Sequence, residues 1–324
     1  MSDDTQLVSK VLVLDGNESY FDRIKIFCDN NNLVGVRALE ANVLAVLKSN
    51  VDLGAILLSE DYGGKAHGGV ALARQINRAR PELPIFLRRE QAANLDGLSE
   101  KDRKIFCVAY TIDSIADLRK VLDEYIFSLV YPNVMVRGIK EITQSALEGL
   151  FKDANIETEA PYIVRDRIIY GEVFSLIPLE SNWCRGYMML QSGGADILRI
   201  AQSGTQQTKL TSADFRSINH VLGEATNLIW GAFKNRYFSD DDRSGIFKTQ
   251  VPIIINHQHR YISFGSENPQ LCFKYTLSDK QDSTKNPAII FQRFVFNLNW
   301  SPEDFKEVQA SLEELVDSGE LELF

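Results

Sequence analysis

Over the first 127 residues, short apolar runs alternate with amphipathic stretches of helical period. VLVLDG (11–16), LVGVRAL (33–39), GAILLSE (54–60), LPIFLRR (83–89) and KIFCVAY (104–110) are the runs, and a parallel strand covered on both faces reads this way. Residues 18–31, 41–50 and GGVALARQINRAR (68–80) lie between them with apolar positions three and four apart, and Pro81 stops the third. DSIADLRKVLDEYIF (113–127) follows the last run, with Asp113 placed to cap it. Residues 91–103 carry only a weak helical signal. Five strands alternating with five helices predict a doubly wound α/β domain, whose ligand site belongs at the carboxyl ends of its strands.

Beyond residue 130 the rhythm changes. NVMVRGIKEITQSALEGLF (133–151) is an amphipathic helix, RDRIIYGEVFSLIPLE (165–180) and RGYMMLQ (185–191) are long strands, and SGGADILRIAQ (192–202) is a shorter helix. Residues 211–238 form one long helix with Phe215, Ile218, Val221, Leu222, Leu228, Ile229 and Phe233 as its expected core face. VPIIIN (251–256), RYISFG (260–265), LCFKYTL (271–277) and AIIFQRFVFNL (288–298) are strands with short polar connections, which predicts antiparallel pairing. A charged helix over 302–320 closes the chain. The second domain is therefore expected to be α+β, long helices on a mostly antiparallel sheet. The expected domains are 1–130 and 131–300, with a C-terminal helix and tail over 301–324 and a boundary at the aperiodic SLVYPN.

Charge and cysteine usage narrow the function classes. The net charge of −9, with no basic stripe, argues against general nucleic-acid binding. Cys28, Cys107, Cys184 and Cys272 are scattered without CxxC spacing, so neither a structural zinc site nor a disulfide framework is expected. MSDDTQLVSK has no apolar signal core, and no run reaches the length of a membrane span. A cytoplasmic location follows as the expectation.

Residues 8–127 resemble a response-regulator receiver domain, a flavodoxin-like fold, on KVLVLDG, DLGAILLSED, LPIFLRR and the final DSIADLRKVLDEY. In that family an aspartate ending the third strand takes up a phosphoryl group. Acidic residues after the first strand bind Mg²⁺, and a hydroxyl residue and a lysine end the fourth and fifth strands. Such chemistry needs a carboxylate nucleophile, a metal to neutralise phosphoryl charge, and donors for its oxygens. Here Asp15 is followed by Gly16 in place of the second acid, and Ser59 stands at the acceptor position with Glu60 and Asp61 after it. Arg88 replaces the hydroxyl residue, and Tyr110 and Thr111 stand where the lysine belongs. The resemblance thus implies a pseudo-receiver with a degenerate pocket of Asp15, Ser59, Glu60, Asp61, Arg88 and Thr111. A slip in register across the long YGGKAHGG loop would make Asp61 the acceptor instead.

Within the long helix, GEATNLIWG (223–231) sets Glu224 and Asn227 three residues apart, so that they are neighbours on one helix face. Two readings are open, the polar stripe of a half-buried helix or a site. Together with the preceding RGYMMLQ strand and Pro252 in the following GIFKTQVP, this E-x-x-N resembles the CheX/CheC/FliY family, with CheX as its nearest member. The resemblance covers roughly residues 130–300. Members dephosphorylate the chemotaxis receiver CheY. It implies that Glu224 pairs with the partner's lysine and that Asn227, which both donates and accepts, orients the attacking water. Mg²⁺ would sit on the phosphorylated partner receiver and this chain would need no cofactor of its own. A homodimer is implied too, and FQRFVF (291–296), apolar on both faces, would suit its interface. His220 departs from the pattern, because the family usually has Asp or Ser there.

The implied function is that of a chemotaxis or two-component signalling protein, an aspartyl-phosphate phosphatase acting on a response-regulator receiver. The alternative is a non-catalytic receiver-binding or scaffold module in chemotaxis or flagellar signalling. Glu141 and Gln144 on the first helix of the second half form a weaker pair, read as exposed helix residues. His257 and His259 read as a solvent-exposed turn, and Trp183 and Trp230 as core or interface.

Overall fold

The structure, a computed structural model, describes residues 7–38, 40–49, 52–165, 173–181, 183–204, 215–238, 253–256, 268–282, 284, 286–300 and 302. The chain divides into two units: Met1–Val130 with Ala160–Tyr170 and His259–Phe273, and the remainder.

In the first unit, the apolar runs become β1 (Ser9–Leu14), β2 (Leu33–Arg37), β3 (Leu53–Ser59), β4 (Ile85–Arg88) and β5 (Phe106–Tyr110). They form one parallel sheet in the order β2-β1-β3-β4-β5. Helices α1 (Glu18–Asn30), α2 (Val43–Ser49), α3 (Gly68–Ala79), α4 (Glu100–Arg103) and α5 (Leu118–Tyr125) connect them. Alternate strand residues serve opposite faces. Leu12, Ile56, Leu58 and Leu87 pack with Val43 and Leu47 of α2 and with Val70 and Ile76 of α3. Ile24 and Phe27 of α1 and Leu118 and Leu122 of α5 are buried as well, and Phe86 meets Tyr125 edge to face. This two-sided burial explains why β1, β3 and β4 read as continuous apolar runs, while β2 at the sheet edge is largely exposed. The unit also holds β7 (Tyr162–Val164), which pairs antiparallel with Gln270–Cys272; Ser9 Oγ donates to the Ile163 carbonyl at 2.8 Å.

The weak helical signal at 91–103 corresponds to the single turn of α4, tied down by charge. Arg74 of α3 grips Asp102 with two bonds (2.7 and 2.9 Å), and Ser99 Oγ donates to the same carboxylate at 2.6 Å. The Arg74 bonds first, and the Ser99 bond second, pull the Asp102 carboxyl down to about 2 from its ordinary 3.8. A depressed carboxyl stabilises the fold fully above its unfolded value and loses that contribution as pH falls through the folded one. Asp102→Asn is therefore expected to lower the urea midpoint at pH 6, with the gap to wild type closing as pH drops from about 4 to 2.

The second unit is built on α6 (Asn133–Leu150), α7 (Gly194–Gly204) and α8 (Phe215–Tyr237). Its strands are β6 (Ala154–Thr158), β8 (Val173–Glu180), β9 (Cys184–Ser192), β10 (Ile253–Asn256), β11 (Gln270–Asp279, in this unit from Lys274) and β12 (Ala288–Trp300). Their order is β10-β8-β9-β12-β11-β6, and the β10–β8, β8–β9, β9–β12 and β11–β6 pairs are antiparallel. The long helices lie on one face of this sheet. Thr143 of α6 donates to Gln292 Oε1 (3.1 Å), Tyr275 donates to the same oxygen (3.0 Å), and Phe233 of α8 packs on Phe294. α6 and α8 cross closely at Gly138, where a Cβ would meet Tyr237 Oη at 1.9 Å.

Several expectations need correction. Thr111, not Asp113, caps the helix after β5: its side chain and that of Ser114 form a reciprocal capping box, and Ile112–Asp117 is a 3-10 segment ahead of α5. The local T-x-x-S pattern carried that signal, since a hydroxyl three residues before a bonding partner satisfies two free N–H groups. No element was expected over 152–164, where β6 offers only Ala154 and Ile156 as inward positions. Leu228 is no core residue; it is 47% exposed. On β12, Phe291, Arg293 and Val295 are buried within the single chain, so this face needs no second copy to cover it. The strand expected over 260–265, Pro252, His257, His259 and the helix expected over 302–320 lie outside the described residues, apart from Pro302. No helix among the described residues is long and apolar enough to cross a membrane.

Candidate functional site

The inward stripe of α8 runs through Ile218, Leu222, Ala225, Ile229 and Phe233, with Thr226 fully buried among them. Thr226 Oγ1 donates to the Leu222 carbonyl at 2.7 Å, which leaves it to accept from Ser175 Oγ of β8 at 2.5 Å. This pair sets the rotation of the helix on the sheet. With Thr226 held inward, His220, Glu224, Asn227 and Leu228 fall on the outward side, within an arc of about 100°. Together with Asn219 and Gly223 they line an open cleft of about 450 Å³. Glu224 and Asn227 are exposed neighbours that no described residue screens. His220 Nε2 lies 3.7 Å from Glu224 Oε2, too far for a hydrogen bond but within ion-pair range when the imidazole is protonated. Among the described residues, nothing lies within 4 Å of where a Cβ on Gly231 would stand.

Thr226 carries a measurable consequence. Thr226→Val is expected to destabilise the protein by about 1–3 kcal/mol, because it strands the buried Ser175 hydroxyl. Adding Ser175→Ala removes the stranded group, so the double variant should recover much of the lost urea midpoint.

The weaker pair on α6 is already engaged. Arg236 donates to Glu141 at 3.0 Å, Arg137 flanks the same carboxylate at 3.9 Å, and Gln144 donates to Glu148 at 2.9 Å. Trp183 and Trp230 are core residues, both packed edge to face on Phe238. Among the described residues, no group of three or more His, Cys, Asp or Glu side chains is placed to hold a metal ion.

In the first unit, Asp15, Ser59 and Arg88, of the six residues expected in the degenerate pocket, are bonded together at the carboxyl edge of the parallel sheet. Ser59 pairs with Arg88 across β3 and β4, and Arg88 with Tyr110 across β4 and β5. The Arg88 guanidinium, 3% exposed, fills the space between them. Its Nε and Nη2 both bond the Asp15 carboxylate, Nη2 also donates to Ser59 Oγ at 2.8 Å, and Nη1 to Glu90 at 2.7 Å. Burial disfavours its charge, but the bonds to Asp15 and Glu90 outweigh burial and leave its pKa above the ordinary arginine value. The Arg88 bond in turn holds the Glu90 carboxyl below its usual range. Glu60, Asp61 and Thr111 serve other partners. Glu60 pairs with Arg89 (2.9 Å) and His67 (2.9 Å), Asp61 accepts from the His67 N–H (3.0 Å), and Thr111 is committed to its capping box. The pocket therefore holds a built-in cation against Asp15 and keeps the Ser59 hydroxyl hydrogen-bonded. Glu90 and Tyr20, which no sequence pattern singled out, extend the network: Tyr20 donates to Glu90 at 3.0 Å, and its ring lies under the Arg88 guanidinium.

No family model and no curated protein matches this sequence. Solved structures of two kinds are similar to it. A putative chemotaxis protein from Desulfovibrio vulgaris Hildenborough is 15% identical with a TM-score of 0.39, over 50% of this chain and 96% of that one. The CheX–CheY–BeF3–Mg complex from Borrelia burgdorferi matches at 17% identity and a TM-score of 0.34, over 50% and 98%. A CheY-like response-regulator receiver domain protein from Methanospirillum hungatei JF-1 matches at 15% and 0.29, over 36% and 96%.

Proposed function

We propose that α8 docks over the phosphorylation site of a separate CheY-type receiver and promotes hydrolysis of its aspartyl phosphate. The carrying observation is the pair Glu224 and Asn227, held side by side and open to solvent by the Thr226–Ser175 bond behind them. Glu224 pairs with the lysine of the partner's pocket and so places the helix. The Asn227 amide accepts one hydrogen bond from a water and donates another to the phosphoryl or the partner backbone, which lines the water's oxygen up with phosphorus. Water attacks phosphorus, the bond from phosphorus to the aspartyl oxygen breaks, and the products are inorganic phosphate and the free carboxylate. The proton leaves to solvent or phosphate, so Asn227 never has to act as a base. Mg²⁺ belongs to the partner, where it neutralises phosphoryl charge. Leu228, 47% exposed one turn beyond Glu224, supplies apolar contact at the rim.

The first unit takes no phosphoryl group in this reading. Arg88 occupies the cation's role permanently, and Ser59 is no acyl-phosphate acceptor. We place the protein in receiver signalling in the cytoplasm, with the first unit as an interaction module.

The test is to mix the protein with a CheY-type receiver phosphorylated by acetyl phosphate and to follow phosphate loss. The receiver should lose phosphate faster than on its own, and Glu224→Ala should raise the receiver concentration at half-maximal rate by about tenfold, as loss of a desolvated interfacial charge partner does. If the receiver binds in a Glu224-dependent manner but its decay is unchanged, the protein is a receiver-binding module and the catalytic reading fails. The Arg88-filled pocket, which leaves the chain without a phosphorylation state of its own, is the observation that favours this second reading.

A further inference from the structure

The cleft on α8 holds two ionisable side chains, and they belong to one pair. His220 sits one turn before Glu224, its Nε2 3.7 Å from the carboxylate, with the two side chains 80% and 47% exposed. Asn219, Gly223, Asn227 and Leu228 complete the lining, and none of them carries charge. On the elements packed against α8, Asp196 and Arg199 of α7 pair with each other at 2.8 Å, Glu141 of α6 pairs with Arg236 at 3.0 Å and is flanked by Arg137, Glu148 accepts from Gln144, and Lys140 of α6 is outside the cleft lining. On β8, Glu180 is held by Arg185. Among the described residues lining the cleft, His220 is the one ionisable neighbour of Glu224.

We propose that His220 is a positioning residue that makes receiver docking sensitive to pH. The inference rests on the docking role given to Glu224 above. A neutral imidazole leaves the carboxylate free to meet the partner's ammonium. A protonated one offers Glu224 an intrahelical cation at i,i+4 spacing, an arrangement that attracts the carboxylate along the helix surface. The partner's lysine then has to displace an existing ion pair, and it meets a second positive charge beside its target. Both effects weaken docking when the imidazole is protonated and vanish when it is neutral, and imidazole is the side chain whose charge ordinarily switches while carboxylate and ammonium keep theirs.

Two measurements separate this inference from the reading beneath it. The first uses the protein alone: the ¹³C resonance of the Glu224 side-chain carboxyl is followed from pH 5 to 8, in wild type and in His220→Asn. A step in the wild-type trace that His220→Asn lacks is expected, and coincident traces would overturn the proposal whether or not any receiver binds. The second uses a CheY-type receiver loaded with beryllofluoride and Mg²⁺. The ratio of its Kd at pH 5.5 to that at pH 8 should be about twofold to threefold larger for wild type than for His220→Asn, in line with an exposed charge pair. His220→Lys, charged throughout, should show wild-type acid behaviour already at pH 8. Equal ratios in wild type and His220→Asn would sink the proposal while leaving the Glu224 docking role standing. A wild type that binds this receiver at no pH, with the carboxyl step still present, would remove the docking reading and with it the regulatory meaning of the pair.

Discussion

Asn227→Ala is expected to remove nearly all added phosphatase activity, a loss of about 100-fold in the receiver dephosphorylation rate at saturating protein, with little change in receiver binding. The side chain is solvent-facing and lies outside the buried stripe of α8, so its truncation costs little stability. On the proposed reading, what it removes is the group that holds the water. A rate loss without an affinity loss is the signature of an interaction made only in the transition state. Glu224→Ala should show the converse, a higher half-saturation with a smaller effect on the saturated rate. The two variants therefore dissect docking from water placement, and a swap of their phenotypes would overturn the roles assigned to them. Asn227→Gln lengthens the amide arm by one methylene. It should retain only part of the rate, because in-line attack tolerates little displacement.

Arg88→Met is expected to destabilise the first unit by about 3–5 kcal/mol, read as a lower urea midpoint for the transition that reports on that unit. The guanidinium and the Asp15 side chain are each 3% exposed and bonded to one another. Removing one partner leaves a carboxylate buried among apolar strands without its counter-charge, which costs far more than an exposed ion pair contributes. The companion variant tests this account: Asp15→Asn on the Arg88→Met background removes the stranded charge and should restore at least half of the loss. If the double variant is no more stable than Arg88→Met, the cost lies in packing around the arginine stem and not in charge. Acetyl phosphate with Mg²⁺ should leave the mass of the wild-type protein unchanged, and a gain of one phosphoryl group on the first unit would refute the pseudo-receiver reading.

The parallel sheet was legible because burial on both faces writes itself into successive apolar residues, with no need to know the partners. The juxtaposition of Glu224 and Asn227 was legible for a related reason: helix geometry alone brings residues three apart together. What escaped depends on distant partners. Thr226 reads as an ordinary polar residue until Ser175, 51 residues away, is beside it. Arg88 reads as a loss of chemistry until Asp15, 73 residues away, shows what it replaces. Leu228 misled for a subtler reason. Leu222 and Ile229 form the buried stripe with Phe233, and that stripe leaves room for only one residue of the adjacent pair Leu228–Ile229. The pattern showed an apolar pair without showing which member turned outward, and the outward one is the leucine beside the candidate site.

The arginine in the receiver-like pocket has one more implication. A receiver charged by phosphate carries a clock, because hydrolysis sets how long its altered surface lasts. Arg88 is part of the chain and cannot be hydrolysed away from Asp15 and Ser59. On the pseudo-receiver reading, whatever surface the first unit displays is on display from folding to degradation. Information passing through that unit would then be encoded in how many copies exist and where they gather, and not in how recently each was modified.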